Sequence, residues 1–333
     1  MRVAVIGAGS WGSALAMQLA RAGNTTSMWD HRPRRAQEMN VCRENRRYLP
    51  DIRFPDGLTV TGDLPAALHG AELIVAVVPS QTMRSVMQQA LEHVPADAIV
   101  CCASKGIEQG TLMTMEEVLR DVFPSAAHGR LCFLSGPSFA REVAADQPTA
   151  VVIAGREEAA TQRVAEAFHA GNFRVYHTDD IIGAELGGAL KNVIAIACGA
   201  ADGLGIGLNA RAALMTRGLA EISRLAVARG ANPLTLAGLA GMGDLVLTCT
   251  GNLSRNRRVG LGLGQGKTLE QILEELGQVA EGVITARSAH QLAQAEGVEM
   301  PITHQIYSML YEGRSAADAV ATLLGRQRKA ERS

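Results

Sequence analysis

Apolar and polar positions follow different patterns in the two halves of the chain. Residues 3–6 are apolar throughout, which predicts a short buried strand, and residues 13–22 have the spacing of a helix that Gly23 would end. Further strands are predicted at residues 25–29, 73–78, 98–103, 131–134 and 150–154, with helical segments at 81–93 and 157–169. Strands that alternate with helices predict an α/β fold with a doubly wound parallel sheet.

The pattern changes near Thr178-Asp179-Asp180, a segment with the composition of a helix N-cap. After it, the sequence has helical spacing at residues 212–229, 269–276 and 284–295. We therefore predict a Rossmann-type dinucleotide-binding domain over residues 1–185 and an all-α substrate and catalytic domain over residues 186–333. A ligand would lie in the crevice between the two domains, outside the carboxyl ends of the strands.

The segment GAGSWG, residues 7–12, joins the first predicted strand to the first helix with G-x-G-x-x-G spacing. Gly7, Gly9 and Gly12 would permit a tight turn whose free N–H groups hold a pyrophosphate. The same opening is basic at Arg2 and then apolar, so it also has the composition of a secretory signal, and a ligand-free glycine turn is a further alternative. The strand-to-helix spacing favours dinucleotide binding, because a secretory signal does not explain it.

Composition narrows the class of protein. The 333 residues include 32 basic and 33 acidic side chains, and a net charge of −1 gives no general attraction to nucleic acid. The six cysteines form no C-x-x-C pair, no histidines have metal-ligand spacing, and we expect no metal. Unpaired thiols fit a cytoplasmic protein, and the apolar run near Lys191 is interrupted by Asp202, so we expect no stable membrane insertion.

The segment DHRPRR, residues 30–35, carries two opposite signals for the cofactor. An acid after the second strand, here Asp30, is typical of NAD binding, because it accepts hydrogen bonds from a ribose diol. Arginines at the same place favour the 2′-phosphate of NADP. Arginines that are simply solvated on the surface are the alternative, so the choice between NAD and NADP stays open.

Lys191 lies in a long run of apolar and small residues, 184–200. Its helical neighbours Gly187, Gly188 and Ala195 would leave open space over that face, enough for a small substrate. An ammonium group in a partly desolvated cleft would have a lowered pKa and would transfer a proton near neutral pH. The alternative is a lysine whose ammonium group extends to solvent.

Two further segments have the chemistry of an anion site. Residues 241–258, GMGDLVLTCTGNLSRNRR, combine an acid with hydroxyl, amide and guanidinium donors that suit a phosphate monoester, although an exposed basic turn is the alternative. Lys105 follows a predicted strand end, where sheet folds place groups that face a ligand, or it is a surface lysine.

Together these segments resemble the bacterial NAD(P)-dependent glycerol-3-phosphate dehydrogenases from Val3 to the terminal LLGRQRK, residues 323–329. The motifs that carry the resemblance are GAGSWG (7–12), VVPS (77–80), SKG (104–106), SGPSFA (135–140), LKNVIAIACGAADGLG (190–205), GLAGMGDLVLTCT (238–250), SRNRR (254–258) and VAEG (279–282).

The resemblance implies reduction of dihydroxyacetone phosphate, a phosphorylated triose, to sn-glycerol 3-phosphate for phospholipid synthesis, with NADP or NAD as cofactor. It also implies a homodimer. Lys191 matches the proton-transfer residue, and the positions that match substrate-binding residues are Lys105, Gly136, Ser138, Lys191, Asp244, Ser254, Arg255 and Asn256. Besides the three glycines, the matching cofactor positions are Ser10, Trp11, His31, Arg32, Tyr48, Lys105, Ala140, Arg255, Val279 and Glu281.

Two other functions share part of this pattern. A related hydroxyacid dehydrogenase would have the same two domains and a lysine on a helix, but the SRNRR segment favours phosphate over carboxylate. A non-catalytic dinucleotide sensor would need the glycine turn and neither Lys191 nor the basic segment.

Overall fold

A computed structural model describes residues 1–327, and its strands form one large sheet and one small hairpin. The strands are β1 Arg2–Ile6, β2 Thr25–Trp29, β3 Glu44–Asn45, β4 Leu49–Arg53, β5 Leu58–Thr61, β6 Leu73–Ala76, β7 Ile99–Cys102, β8 Leu131–Ser135, β9 Thr149–Gly155 and β10 Phe173–Thr178. β3 and β4 pair with each other, and the other strands form the sheet in the order β10-β9-β8-β7-β6-β1-β2-β5.

The three longest helices follow the last strand of the large sheet. The helices are α1 Ser10–Arg21, α2 Pro33–Cys42, α3 Leu64–Leu68, α4 Met83–Ala90, α5 Met115–Val122, α6 Ala140–Ala144, α7 Glu158–Phe168, α8 Ile181–Gly203, α9 Leu208–Ala228, α10 Pro233–Ala237, α11 Asp244–Thr250, α12 Arg255–Gly264, α13 Leu269–Leu276, α14 Glu281–Ala295, α15 Pro301–Tyr311 and α16 Ala316–Leu324. Short 3₁₀ turns cover Ser80–Thr82, Leu91–His93 and Ser125–Arg130, and a single π turn, Leu239–Gly243, leads into α11.

The predicted parallel sheet is confirmed from β5 to β8 and is wrong at one edge. β9 pairs antiparallel with β8, and β10 pairs parallel with β9, so the last two strands run in the opposite direction. The cause is the connection between β8 and β9, where α6 has only five residues. At 1.5 Å per residue, α6 is too short to return the chain across the sheet, so β9 starts at the edge where β8 ended.

Both faces of the sheet are covered, as the apolar strands predict. In β1, Val3 and Val5 pack into a core with α1, α6 and α7, while Ala4 and Ile6 face a second core with α4 and α5. A third core surrounds α8, whose residues from Leu186 onwards contact α9, α11, α12 and α14. Residues 2–23, for which a secretory signal was the alternative, thus form the central strand β1 and the helix α1.

Helix α8 begins where the change of pattern was predicted. The Asp180 carboxylate accepts a hydrogen bond from the Gly183 N–H at 2.9 Å, which caps the helix. The last sheet strand ends at Thr178, while the division into residues 1–185 and 186–333 stays a prediction. Residues 328–333, which include the end of the LLGRQRK segment and of the predicted second domain, lie outside the described residues.

By length and composition alone, α8 would be long enough to cross a membrane, which the sequence interpretation did not expect. Of its most apolar window, 89% is buried within the protein. Asp202 does not end the helix, which continues to Gly203. The burial of α8 among α9, α11, α12 and α14 is that of a core helix.

Candidate active site

The glycine turn has the geometry of a dinucleotide cradle. Gly7 has φ +116° and lies so close to β6 that a Cβ atom would stand 2.4 Å from the Val77 carbonyl oxygen. A Cβ on Gly9, by contrast, would meet nothing within 4 Å, so the outer side of the turn is open. Among residues 1–327 no side chain caps α1, so its first N–H groups, at Ser10, Trp11 and Gly12, point into this open space. The turn therefore fits a pyrophosphate.

The strands that follow β1 in the sheet bring other loops to the same edge. Ser80 follows β6, Lys105 follows β7, and Gly136 follows β8, all at the carboxyl ends of parallel strands. The Trp11 indole N–H donates to the carbonyl oxygen of Ala103 at 3.2 Å, which ties the glycine turn to the Lys105 loop. Cofactor and substrate positions from distant segments are thus joined into one crevice.

At the bottom of the crevice, Lys105 and Lys191 share the carboxylate of Asp244, and we call these three residues the crevice cluster. The Lys105 ammonium donates to Asp244 Oδ2 at 2.6 Å and to the Gly136 carbonyl oxygen at 3.2 Å. The Lys191 ammonium donates to Asp244 Oδ1. The Asp244 side chain is only 1% exposed, so one buried carboxylate stands between two ammonium groups.

The crevice cluster gives Lys191 an unusual protonation equilibrium. Burial lowers the pKa of Lys191 to about 7; the charge of Asp244 acts against this shift, and the nearby Lys105 adds to it. A lysine with such a pKa holds or releases a proton near neutral pH, which suits proton transfer. The lowered pKa expected from the sequence is thus present.

The small residues around Lys191 were predicted to leave open space for a small substrate, and this prediction is wrong. A Cβ on Gly187 would lie 2.6 Å from the Ala240 carbonyl oxygen, and one on Gly188 would lie 2.9 Å from Ser135 Oγ. The same Gly188 Cβ would lie 3.4 Å from the Lys105 side chain. The small residues therefore do not leave open space; they allow the π turn and Lys105 to approach α8 closely.

The remaining predicted substrate residues lie around the crevice cluster or support it. The Ser138 hydroxyl donates to the Gly136 carbonyl oxygen at 3.0 Å, the same oxygen that Lys105 contacts. Ser254 caps α12, because its hydroxyl oxygen accepts from the Arg257 N–H at 3.2 Å. Asn256 donates to Asn192 Oδ1 and accepts from the Gly282 N–H, both at 2.9 Å, so part of its amide is already engaged.

Arg255 and Glu281 form the other wall of the crevice. The Glu281 carboxylate accepts from the Ser80 hydroxyl at 2.7 Å and from the Ser80 N–H at 3.3 Å. Burial raises the pKa of Glu281, while Ser80 and the charge of Arg255 act against this shift. Burial likewise lowers the pKa of Arg255, and Glu281 opposes that shift. A partly buried guanidinium at the start of α12 is suited to binding an anion.

Two of the predicted cofactor positions, His31 and Arg32, line a separate cleft of about 730 Å³ beyond the end of β2. His31 and Arg32 are exposed there, and Tyr48 contacts the cleft residue Arg35, because its hydroxyl accepts from Arg35 Nη1 at 3.2 Å. We call it the arginine cleft, because Arg32, Arg34, Arg35, Arg46 and Arg47 line it together with the acidic residues Glu38 and Glu44. Ala140 begins α6, and Val279, 46% exposed, precedes α14, so neither belongs to this cleft.

Sequence interpretation missed several residues that the fold brings to the site. Ser80 lies in the VVPS motif and would have been indicated by its place after a predicted strand. Asn192 follows Lys191 directly but contacts Asn256, 64 residues away, which one sequence does not reveal. Arg46 and Arg47 reach the arginine cleft through the hairpin of β3 and β4, which has no strong strand pattern.

Comparison with known proteins gives consistent matches over nearly the whole chain. Models described as the N-terminus and the C-terminus of NAD-dependent glycerol-3-phosphate dehydrogenase match residues 2–161 and 180–321. A protein of a Geobacter species, named glycerol-3-phosphate dehydrogenase (NAD(P)+), is 54% identical over 330 residues, which cover 99% of this chain and 98% of the relative. A relative of the same name from Anaeromyxobacter dehalogenans is 54% identical over 331 residues and is covered completely.

Solved structures agree with these sequence matches. The crystal structure of glycerol-3-phosphate dehydrogenase from Coxiella burnetii superimposes with a TM-score of 0.93 at 42% identity. The superposition covers 98% of this chain and 99% of that chain. The glycine turn, the crevice and the helical region after β10 therefore belong to one shared architecture.

Proposed function

The chain belongs to the NAD-dependent glycerol-3-phosphate dehydrogenase family, and we propose that the crevice cluster is where it carries out the chemistry of that family. The enzyme reduces dihydroxyacetone phosphate to sn-glycerol 3-phosphate with NAD(P)H, in a reversible reaction that supplies glycerol 3-phosphate for phospholipid synthesis. The observation that carries the proposal is Lys191, a buried lysine paired with Asp244 beside Lys105 at the carboxyl ends of the strands.

Lys191 is the proton donor in this proposal. NAD(P)H, when bound, supplies the hydride that the C2 carbonyl carbon receives. Negative charge then builds on the carbonyl oxygen, and the Lys191 ammonium stabilises this oxygen and gives it the proton. In the reverse direction, neutral Lys191 accepts the hydroxyl proton. Asp244 holds Lys191 in place and keeps two close ammonium groups compatible with burial.

Arg255 holds the substrate phosphate, with Ser254 and Asn256 as further donors. Its support is the position of Arg255 at the first turn of α12, where free N–H groups and the helix dipole also favour an anion. Gly136, Ser138 and Lys105 border the opposite side, where the Gly136 carbonyl oxygen orients the Lys105 ammonium. This arrangement would leave the carbonyl of the triose facing Lys191.

The dinucleotide lies along the carboxyl edge of the sheet in this proposal. Gly7, Gly9, Ser10, Trp11 and Gly12 surround the pyrophosphate, and the open space over Gly9 supports this placement. The adenosine end is held in the arginine cleft and the nicotinamide end in the crevice; the remaining contacts are assigned to His31, Arg32, Tyr48, Lys105, Ala140, Arg255, Val279 and Glu281.

Three further features belong to the proposal. The division at residue 185 places the glycine turn in the first domain and the helices that carry Lys191 and Arg255 in the second, which also contributes cofactor contacts. The free thiols of all six cysteines suit the reducing cytoplasm, where NAD(P)H is also present. A homodimer is supported by the family resemblance, and light scattering would test it, since a mass equal to one chain would contradict it.

A direct assay tests the reaction. Purified protein is mixed with NADPH and dihydroxyacetone phosphate, and absorbance at 340 nm is followed, with pyruvate and other 2-oxo acids as control substrates. A fall in absorbance with the phosphorylated triose alone supports the proposal. Turnover of the 2-oxo acids instead would indicate a hydroxyacid dehydrogenase, and cofactor binding without turnover of any substrate would indicate a dinucleotide sensor.

A further inference from the structure

Asp30 occupies the place at which dinucleotide-binding folds discriminate between NAD and NADP. It directly follows β2, and the Gly7 N–H donates to the Trp29 carbonyl oxygen at 3.1 Å, so β2 ends beside the glycine turn. An acidic side chain here accepts a hydrogen bond from the 2′-hydroxyl of the adenosine ribose. By residue type alone, Asp30 would therefore favour NAD.

The Asp30 carboxylate is already engaged inside the protein. Its side chain is 0% exposed, Oδ1 accepts from the Arg32 N–H at 2.8 Å, and Oδ2 accepts from Arg35 Nε at 2.5 Å. Arg35 is held in turn by Tyr48, whose hydroxyl accepts from Nη1 at 3.2 Å and whose ring centre lies 5.0 Å from the guanidinium carbon. A ribose hydroxyl would have to break the Arg35 contact to reach this carboxylate.

The arginine cleft in front of this pair is rich in uncompensated positive charge. Among the arginines of the cleft, Arg35 pairs with Asp30 and Arg46 pairs with Glu44, the latter at 3.7 Å. The other three arginines of the cleft have no carboxylate partner within the described chain. A phosphate monoester carries nearly two negative charges at neutral pH, and guanidinium groups bind it with paired N–H donors.

We propose that Arg35 is a positioning residue that makes the enzyme prefer NADPH to NADH, because it holds Asp30 away from the ribose and neutralises its charge. Without Arg35, Asp30 would accept from the 2′-hydroxyl of NADH and would repel the 2′-phosphate of NADPH. Specificity is the difference between two affinities, and Arg35 acts on both. The inference rests on the proposed function for the class of cofactor.

The test compares Arg35→Met with Arg163→Met, a matched change at an exposed arginine of α7 that lies outside the arginine cleft and pairs with Glu72. Dissociation constants are measured by calorimetry for NADPH and NADH, and for 2′,5′-ADP and 5′-ADP. For Arg35→Met we expect NADPH and 2′,5′-ADP to bind at least about tenfold more weakly, and NADH to bind about threefold more tightly. Arg163→Met is expected to leave the Kd for both cofactors unchanged.

Two Asp30 variants distinguish positioning from a general effect on α2. Arg35→Met combined with Asp30→Asn is expected to lose the gain in NADH affinity, and Asp30→Asn alone is expected to change the Kd for NADH by less than about twofold. Unchanged or weaker NADH binding in Arg35→Met would overturn the proposal. So would a loss of about tenfold in NADH affinity in Asp30→Asn, because Asp30 would then contact the ribose already.

If Arg35→Met does not fold, as judged by circular dichroism, Arg35→Gln replaces it with the same expected directions. All of these measurements concern binding and need no turnover. Failure of the purified enzyme to reduce dihydroxyacetone phosphate would therefore contradict the proposed function and would leave the role of Arg35 decided by the dissociation constants.

Discussion

The crevice cluster and the arginine cleft both hold positive charge, but the crevice cluster is buried and the arginine cleft is exposed to solvent. Lys105 and Lys191 are 16% and 9% exposed and share one carboxylate, so one of their two positive charges is balanced within the protein. In the arginine cleft, Arg32, Arg34 and Arg47 are exposed and have no carboxylate partner among residues 1–327. Burial makes a lysine able to lose its proton, whereas an exposed arginine keeps a permanent charge.

The two arrangements suit two tasks. A proton donor must change its charge during the reaction, and only a group whose pKa lies near the working pH does so readily. A phosphate site in water needs charges that never change and donors that spread over several oxygens. Exposed charges are also screened by salt, so each arginine of the cleft contributes less than a buried group. We therefore expect effects to fall in size from the crevice cluster to the arginine cleft.

The largest effect is expected from Lys191→Met. The variant loses the proton donor and is expected to lower kcat by about 10² to 10⁴, the usual range for a positioned acid or base. Asp244 keeps Lys105 as a partner, so we expect the variant to fold and to bind NADPH with an unchanged Kd. Initial rates at saturating substrate, circular dichroism and NADPH fluorescence provide the measurements.

Two controls accompany the Lys191 variant. Lys191→Arg is not expected to restore the rate, because guanidinium keeps its proton over the accessible pH range. Lys267→Met removes an exposed lysine whose ammonium group pairs with Glu275 at 2.7 Å, and it is expected to leave kcat unchanged. A folded Lys191→Met enzyme that keeps more than about a tenth of the parent kcat would contradict the assignment, since less than about 1.4 kcal/mol would remain for the role.

Arg255→Ala is expected to have the next largest effect. Loss of a charge-assisted contact to the substrate phosphate should remove about 2 to 4 kcal/mol, which is roughly 30-fold to 1000-fold in kcat/KM. The measurement compares dihydroxyacetone phosphate with unphosphorylated dihydroxyacetone, whose slow reduction should change little. An equal loss for both ketones would assign Arg255 another role, such as holding Glu281.

The pH dependence of the rate tests the buried lysine in the unmodified enzyme. Because the pKa of Lys191 is lowered to about 7, the ammonium form is present below this pH and is lost above it. The rate of ketone reduction is therefore expected to fall about tenfold per pH unit above roughly 8, while oxidation of glycerol 3-phosphate rises with pH as neutral Lys191 forms. Lys191→Met should lack this dependence, and a reduction rate that is flat from about pH 6 to pH 9 would contradict it.

The difference between the two regions also explains what the sequence alone predicted. Strands such as β1 and β6 follow from local apolar runs, and the glycine turn follows from spacing, because the physical causes lie within a few residues. The shared carboxylate of the crevice cluster joins Lys105 to Asp244 across 139 residues, and one sequence contains no signal for that distance. Lys191 was identified from its apolar surroundings, but its partner was not.

Errors in the sequence interpretation have the same origin. The small residues near Lys191 predicted open space for a substrate, but Ala240 and Lys105, which come from other elements, fill that space. The direction of β9 depends on the length of α6, which weak local propensity does not fix. In the DHRPRR segment, Asp30 and the arginines give opposite signals, and the contact between Asp30 and Arg35 on which our proposal rests is not visible in the sequence.

The smallest effect is expected from Arg32→Ala, a substitution in the exposed arginine cleft. Arg32 is exposed and its backbone N–H, not its guanidinium, contacts Asp30, so the substitution removes charge without releasing that carboxylate. We expect KM for NADPH to rise about fivefold, at the lower end for a charged hydrogen bond because water and salt screen it, and KM for NADH to stay unchanged. Arg163→Ala, which removes an exposed arginine on α7, serves as the matched control. The NADPH effect should shrink as salt is raised, since only an exposed charge is screened in this way. Equal changes of KM for both cofactors would show that Arg32 does not contact the 2′-phosphate.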